Sequence, residues 1–284
     1  MNVYKILLLL LAMLFSLTLS GCFHGDIGLT VNENGSVHNR YRFTGNSFMQ
    51  GTINQLRNQF GSKGEIKEIG QGETRGFEVE YDYPDIESMA KDKDSFANAH
   101  KGKNLGVAKK SGWFFDDYRF DFLLEGDGKN TGGANADVSL MLTMSFPEAA
   151  KNHNADVASQ DGRVLMWNLL AAITAGQDKF MKADFRIYHK DHIMLTTCAA
   201  IVLILLAILL FVKSRSANKD SEHAVEGESN AFVIPLISKV FVIIALLIGI
   251  FALYSFKSEA TFTEADSIAY TIGQEQDSAP AEKE

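Results

Sequence analysis

Cys22 is the side chain with the clearest chemistry, because it stands where an apolar N-terminal run ends. Residues 6–19 are apolar, Lys5 places one positive charge ahead of them, and small residues precede the cysteine. A charged start, an apolar stretch and small residues are typical of a secretory signal. The tetrapeptide LSGC at 19–22 fits the bacterial lipobox, whose cysteine sulfur takes a diacylglycerol before the chain is cut. We predict that Cys22 is lipidated; the alternative is an uncleaved signal anchor with an incidental cysteine.

Two other pairs of side chains have spacings known from catalytic or metal sites. Ser88 and Lys91 have the Ser-x-x-Lys spacing of penicillin-binding enzymes, but the partner motifs of those enzymes are absent from the sequence. His189 and His192 are three residues apart and could share a metal ion, yet no third ligand is evident. Both pairs are more simply explained as a polar helix start and as interfacial histidines.

Acidic segments give equally weak signals. The stretch EGDGKNTGG at 125–133 suggests a calcium loop, but Lys129 occupies a position that needs an oxygen ligand. Asp116, Asp117 and Asp121 could form a carboxylate cluster, although a solvated strand face explains them more simply. We therefore predict that the protein is not an enzyme, holds no metal and uses no cofactor.

Composition limits the remaining function classes. The chain has 284 residues, a formal net charge of −8 and two cysteines, Cys22 and Cys198. Cys22 is predicted to be acylated and Cys198 lies in an apolar segment, so a disulfide is not expected and the exported part must be stable through packing. Since there is no basic stripe, we expect no nucleic-acid partner.

Two apolar segments near the C-terminus predict membrane-spanning helices. Residues 193–212 carry no charge and, at the rise of an α-helix, cover about 30 Å, the thickness of the bilayer's hydrocarbon core. The second segment, 240–256, is also apolar and follows Pro235 and Lys239. Positive charges in the connecting loop place it in the cytoplasm, whereas the acidic tail tolerates the outer side. We predict a bacterial cell-membrane protein, lipid-anchored and two-pass, with its main domain on the outer (periplasmic or extracellular) side.

Alternation of apolar and polar residues dominates the exported part. Strands are predicted at 27–31 and 37–43 around an Asn-Glu-Asn-Gly turn, and at 77–83, 113–124, 138–146, 155–159, 164–170 and 180–188. A helical stripe covers 49–60, and Asp85 is placed to cap a short helix at 86–91. We predict an α+β domain with a curved antiparallel sheet and one or two helices, followed by two transmembrane α-helices.

The predicted organisation has six parts. They are a lipoprotein signal peptide at 1–21, an exported α+β domain at 22–191, a transmembrane helix at 192–212, a cytoplasmic loop at 213–231, a second transmembrane helix at 232–256 and an acidic, disordered tail at 257–284.

Fold landmarks of the exported part resemble the LppM family of bacterial lipoproteins. They are the LSGC motif at 19–22, the strand DIGLTVNENGSV, the helix end INQLRNQF, Pro147 with Asn154-Ala155, Gly162-Arg163-Val164 before Trp167-Asn168-Leu169, and the segment KFMKADFRIYH before a membrane helix. The resemblance implies a tethered lipid-handling domain with a curved sheet around an apolar groove. Residues 231–284 depart from this pattern.

The first hypothesis for function is therefore a membrane-apposed domain that binds a lipid or other amphiphile. The alternative is a non-catalytic structural or regulatory partner of another cell-envelope protein. The candidate apolar groove for an acyl chain is lined by helix and strand residues. These are Met49, Ile53, Leu56, Phe60, Phe114, Tyr118, Phe120 and Phe122.

Overall fold

The structure, a computed structural model, describes residues 22–60, 64–92, 106–124, 138–220 and 228–268. The predicted signal peptide at 1–21 and the predicted loops at 92–104 and 126–133 lie outside these residues, apart from Asp92. The described chain divides into two compact units. A globular unit contains the residues up to Ser111, Asp116–Ile187 and the segment from Phe262; a helical unit contains Gly112–Phe115 and Tyr188–Thr261.

The described residues form eleven strands. They are β1 (Phe23–Val31), β2 (Val37–Gly45), β3 (Glu65–Gln71), β4 (Thr74–Tyr83), β5 (Gly106–Ser111), β6 (Phe115–Leu124), β7 (Val138–Ser145), β8 (Asn152–His153), β9 (Val157–Ala158), β10 (Val164–Asn168) and β11 (Lys179–Tyr188). Five α-helices accompany them: α1 (Gln50–Phe60), α2 (Ile86–Lys91), α3 (Leu169–Ala175), α4 (Lys190–Asp220) and α5 (Glu228–Lys257). Short 3₁₀ helices occur at Ser47–Met49 and Glu264–Asp266.

The strands form two sheets, and the α+β fold class predicted from the sequence is confirmed. Sheet A has seven strands in the order β3-β4-β2-β1-β7-β10-β9, and sheet B has four in the order β5-β6-β11-β8. The structure differs from the single antiparallel sheet that we expected, because β1 and β7 pair in parallel. Alternation determines which face a side chain occupies, but it does not determine the partner strand.

Tight turns join the strands where the sequence predicts them. Asn32–Gly35 connects β1 to β2, with Gly35 at φ 84° and its N–H donating to the carbonyl of Asn32 over 3.0 Å. The turn between β9 and β10 has Gly162 at φ 67°. Both glycines occupy the left-handed region, which disfavours a side chain with a Cβ.

The core of the globular unit consists of the inward-facing residues of both sheets and the apolar stripe of α1. Aromatic contacts tie α1 to sheet A: the Phe60 ring lies 4.6 Å from Tyr41, 5.8 Å from Phe43 and 6.5 Å from Phe77 between ring centroids. One close approach fixes a glycine here, since a Cβ on Gly76 would come within 1.8 Å of the Phe43 carbonyl oxygen. Cys22 and Cys198 are both free, so the described part of the globular unit is held together by packing and not by a disulfide.

The helical unit contains the two apolar helices that the sequence predicts. Lys190–Lys213 within α4 and Ile237–Lys257 within α5 are long and apolar enough to span a membrane, and most of their side chains are exposed. The helices pack against each other, and the Ser238 hydroxyl of α5 donates to the Ala207 carbonyl of α4 over 2.9 Å. The predicted loop at 213–231 is shorter than expected, because α4 continues to Asp220 and α5 begins at Glu228. These helices indicate that the protein is membrane-associated.

The tail differs from the disordered segment expected at 257–284. Residues 262–268 belong to the globular unit, where Ser267 forms an isolated antiparallel bridge with Ala108 of the edge strand β5. Lys110 lies 3.4 Å from the Asp266 carboxylate, and the Arg119 guanidinium lies 4.6 Å from the centre of the Phe262 ring. Residues 269–284 lie outside the described residues.

Candidate functional site

Seven of the eight residues of the predicted apolar groove lie in the packed core of the globular unit. They are Met49, Ile53, Leu56 and Phe60 from the helical stripe, and Tyr118, Phe120 and Phe122 from β6. Phe120 is fully buried, with its ring centroid 4.9 Å from that of Phe185 and 6.0 Å from that of Phe146. Whether this interior admits an acyl chain stays a prediction.

The eighth residue, Phe114, lies apart from the others. It precedes β6 and belongs to the helical unit, where its ring contacts Phe256 at 5.4 Å and Phe251 at 5.8 Å between centroids. The alternation from Phe114 to Phe122 placed all of them on one strand face. The strand begins only at Phe115, so Phe114 does not join that face.

At one end of β6, a polar cluster borders the buried aromatic residues. Lys109 lies 2.6 Å from Glu87, 3.2 Å from Asp116 and 5.6 Å from the centre of the Tyr118 ring. Burial raises the pKa of Tyr118 to about 12, so its phenol stays protonated at physiological pH. These groups satisfy one another, which explains Asp116 without a catalytic role.

A candidate binding cavity lies on the face of sheet A that points away from the core. It is an open groove of about 450 Å³ that crosses β1, β2, β7 and β10. Its lining consists of His24, Gly25, Asp26, Arg42, Thr44, Ser139, Met141, Thr143 and Met166. This volume falls within the range typical of small-molecule sites, about 300–1,000 Å³.

The groove combines polar and apolar groups. Three of its polar residues are already engaged, since His24 Nδ1 lies 2.9 Å from the Ser139 hydroxyl and Asp26 accepts from Arg40 over 3.1 Å. The exposed Arg42 forms no ion pair with any residue that the structure describes. Met141 and Met166 supply adaptable apolar surface. A free guanidinium beside two thioethers suits an amphiphile with an acidic head group.

Cys22 lies directly beside this groove. It precedes β1 by one residue, and its carbonyl accepts from the Asn46 N–H over 3.1 Å at the far end of β2. The 3₁₀ helix that follows Asn46 exposes Phe48, of which 77% is accessible to solvent. A cysteine suited to lipidation, an exposed aromatic ring and the groove thus occupy the same end of sheet A.

The interior holds one polar side chain that the sequence analysis did not single out. Asn39 lies on the core face of β2, opposite Tyr81 of β4, and is 0% exposed. Neither atom of its side-chain amide has a hydrogen-bond partner among the described residues. Its neighbour Tyr41 is also buried, and this burial together with Tyr81 raises its pKa well above the usual value. The only signal in the sequence was an asparagine at an inward position of an alternating strand.

Charged pairs occupy the outer face of sheet B. Arg186 of β11 binds Asp117 of β6 through two hydrogen bonds of 2.7 and 2.9 Å. Arg119 binds Asp184 in the same bidentate way at 2.6 and 2.8 Å. Phe262 of the tail contacts Arg119, so part of this layer is covered by the tail. Asp117 therefore has a structural partner, and the sequence interpretation of a simple solvated face is incomplete.

The other residues with suggestive spacings show no site geometry. Ser88 lies in α2, where its backbone N–H donates to the Asp85 carboxylate over 2.6 Å, as the predicted helix cap requires. His189 and His192 both direct Nδ1 toward the Trp113 carbonyl, at 3.3 and 2.8 Å. Within the described ranges, no group of three His, Cys, Asp or Glu side chains could hold a metal ion. The stretch at 125–133 lies outside them.

Comparisons with known proteins yield likenesses among solved structures but none by sequence. No protein-family model and no curated protein matches the sequence. Among solved structures, the folded domain of Mycobacterium tuberculosis LppM, determined by NMR, is similar with a TM-score of 0.35 and 13% sequence identity. The alignment covers 61% of this chain and 95% of that domain.

Proposed function

We propose that the protein is a non-catalytic lipoprotein of a bacterial cell membrane whose exported domain binds a lipid or other amphiphile. The observation that carries this proposal is the groove of about 450 Å³ on the outer face of sheet A, immediately beside Cys22. An amphiphile needs apolar contact for its tail and polar contact for its head. Met141 and Met166 offer the first, and Arg42 and Thr44 offer the second.

The anchor part of the proposal rests on Cys22 and on the two apolar helices. A diacylglycerol on Cys22 would hold the groove within one residue of the bilayer surface, so a lipid would travel only a short distance to reach it. Metabolic labelling with a fatty acid should mark the wild-type protein, and Cys22→Ala should lose the label. Equal labelling of both proteins would contradict lipidation.

The tail supports the proposed topology. Residues 262–268 follow α5 along the chain and contact β5 and β6, whereas α4 follows β11 directly. If both apolar helices cross the bilayer, the domain and this part of the tail occupy the same side. The basic residues between the helices then lie on the cytoplasmic side.

Binding is tested with the full chain in nanodiscs and an added fluorescent, anionic fatty-acyl probe. We expect saturable binding that Arg42→Glu and Met166→Asp weaken. Arg75→Glu is the matched control, because Arg75 is also exposed, lies on the neighbouring strand β4 and does not line the groove. No saturable binding by the folded protein, or equal loss in the control, would contradict the groove and favour a partner protein of the envelope.

A further inference from the structure

We propose that the segment Gly112–Phe115, which leads from β5 into β6, is inserted in the lipid interface beside the start of α4 and the end of α5. We call this segment the aromatic loop, because it contains Trp113, Phe114 and Phe115. The proposal rests on the membrane crossing of α4 and α5 proposed above and does not depend on the groove. It adds a surface, formed by a loop, whose partner is the head-group and upper acyl region of a bilayer.

The aromatic loop is attached to the first turns of α4. The Trp113 Nε1–H donates to the Thr196 hydroxyl over 3.1 Å, and the indole stacks on the His192 ring with 4.6 Å between centroids and 18° between planes. Thr196 lies six residues after Lys190, the first residue of α4, which is about 9 Å along the helix axis. Both contacts lie within the apolar span Lys190–Lys213. Where this end of α4 enters the bilayer, the indole enters with it.

The loop is also attached to the last turns of α5. The Phe114 ring lies 5.4 Å from Phe256 and 5.8 Å from Phe251 between centroids, and the Phe115 ring lies 5.8 Å from Phe256. Phe251 and Phe256 belong to the second apolar span, Ile237–Lys257. All of these residues, like the loop itself, belong to the helical unit. The start of α4 and the end of α5 therefore hold the loop together.

The backbone of the loop meets a requirement that lipid imposes on irregular structure. At membrane depth there is no water to satisfy carbonyl groups, so donors of the protein must do so. The Phe114 carbonyl accepts from the His189 N–H over 2.8 Å, and the Phe115 carbonyl accepts from the Gly112 N–H over 2.9 Å. Two consecutive carbonyl groups of the loop are thus bonded within the protein.

The two histidines that flank the start of α4 supply the donor for the third carbonyl. Nδ1 of His192 lies 2.8 Å and Nδ1 of His189 lies 3.3 Å from the Trp113 carbonyl oxygen. An Nδ1–H on either imidazole donates to this oxygen. The spacing of three residues, which in the sequence suggested a shared metal ion, here brings both rings to one backbone oxygen of the loop.

The exposed surface of the loop has the chemistry of an interfacial residue. Trp113 is 52% exposed, although tryptophan is among the largest apolar side chains, and its N–H is already bonded to Thr196. Tyr254, in the last turns of α5, is 76% exposed. Tryptophan and tyrosine are enriched at membrane–water interfaces because their rings are amphipathic. Interfacial lipid is therefore the partner that fits this surface.

The test uses the full chain in nanodiscs and the protein's own two tryptophans, Trp113 and Trp167. Trp167→Phe leaves Trp113 as the only tryptophan. Trp113→Phe leaves Trp167, which is fully buried in the core of the globular unit and is the matched control. A third protein replaces both tryptophans by phenylalanine and carries Leu205→Trp, because Leu205 is exposed on α4 nine residues beyond Thr196. The lipids carry bromine either near the carbonyl end or near the methyl end of the acyl chain.

We expect Trp113 to emit at shorter wavelength than a tryptophan in water and to be quenched more by bromine near the carbonyl end than near the methyl end. Trp167 should also emit at short wavelength but should lose little emission with either lipid. The Leu205→Trp protein should be quenched more by bromine near the methyl end. If Trp167→Phe fails to fold, the difference between the wild type and Trp113→Phe gives the Trp113 signal.

Quenching of the Leu205→Trp protein without quenching of Trp113 would overturn the inference and leave the membrane crossing intact. Equally small quenching in all three proteins would overturn both the inference and the crossing on which it rests. None of the substitutions lies at Cys22 or among the residues that line the groove, so binding of the anionic acyl probe is a separate measurement.

Discussion

Replacing Arg186 by methionine should be among the most damaging single changes in sheet B. Arg186 is 2% exposed and its partner Asp117 is 12% exposed at the side chain, with hydrogen bonds of 2.7 and 2.9 Å between them. Arg186→Met keeps most of the aliphatic volume but removes the cation. The Asp117 carboxylate is then left buried without its bidentate partner, which costs about 3–5 kcal/mol in other proteins.

The assay is urea unfolding of the full chain in a neutral detergent, followed by the fluorescence of Trp167. Trp167 is fully buried in the core, and a Trp113→Phe background removes the exposed tryptophan. The free energy of unfolding follows from linear extrapolation to zero urea. Arg163→Met is the matched control: Arg163 pairs with Glu148 at 3.5 Å, and these side chains are 50% and 45% exposed. Such an exposed pair contributes less than about 1 kcal/mol.

A double variant distinguishes the loss of the ion pair's attraction from the cost of leaving the Asp117 charge buried without a partner. Arg186→Met with Asp117→Leu removes both charges, and apolar replacement of a whole buried pair is often neutral. We therefore expect the double variant to be more stable than Arg186→Met alone. The reasoning is refuted if Arg186→Met costs no more than the control, or if the double variant is no more stable than the single one.

Three further predictions concern the core, a helix cap and the tail. Asn39→Leu should raise the free energy of unfolding by about 1–2 kcal/mol in the same urea assay, because it removes two buried polar atoms that lack partners among the described residues; a loss of stability would reveal a partner for the amide. Asp85→Ala should cost about 1 kcal/mol. The hydrogen bond from the Ser88 N–H lowers the pKa of Asp85, so the wild-type contribution is complete above a pH of about 4 and is lost as the pH falls through the lowered folded value. Urea curves from about pH 2.5 to about pH 6 should show a smaller acid loss of stability in the variant. Ala108→Cys with Ser267→Cys, in a Cys198→Ser background, should form a disulfide under mild oxidation, seen as a mobility shift on gels, whereas Ala158→Cys with Ser267→Cys should not.

Local signals in the sequence predict the elements whose residues alternate or follow a helical stripe. The hairpin at Asn32–Gly35, the helix ending at Phe60 and the Asp85 cap are all present. Strand β3 was missed because its two apolar residues, Ile66 and Ile69, are three positions apart and so do not alternate, and the edge strand has no fully buried position. Residues 169–170 were assigned to a strand, yet Leu169 begins α3. The strand and helix propensities of the residues do not show where strand β10 ends and helix α3 begins.

Long-range pairing was not predictable from the same signals. The parallel pairing of β1 with β7 joins residues more than a hundred positions apart, and alternation is the same for parallel and antiparallel neighbours. The return of the tail to β5 was missed because the segment reads as acidic and polar. Its available signals were Phe262, which lies over Arg119, and Ile268, which packs against the core.

Seven of the eight predicted groove residues are core residues, because apolar alternation marks a buried face, whether or not that face encloses a ligand. The same strands supply both surfaces. On β2, Tyr41 and Phe43 enter the core, while Arg42 and Thr44 line the groove. On β7, Leu140 and Leu142 enter the core, while Met141 lines the groove. Because successive side chains of a strand point to opposite faces, packing and binding fall on different residues.

Because core residues and groove residues alternate along each strand, the two sets can be substituted separately. A change at Arg42 or Met141 alters the groove without opening a void behind it, whereas a change at Phe43 or Leu142 destabilises the sheet that supports the groove. The chemistry of the groove can therefore change while the aromatic core stays the same. An occupied interior groove would lack this freedom, because each lining residue would also be a core residue. For that reason we propose the outer face of sheet A, one residue from Cys22, as the lipid-binding surface in preference to the interior.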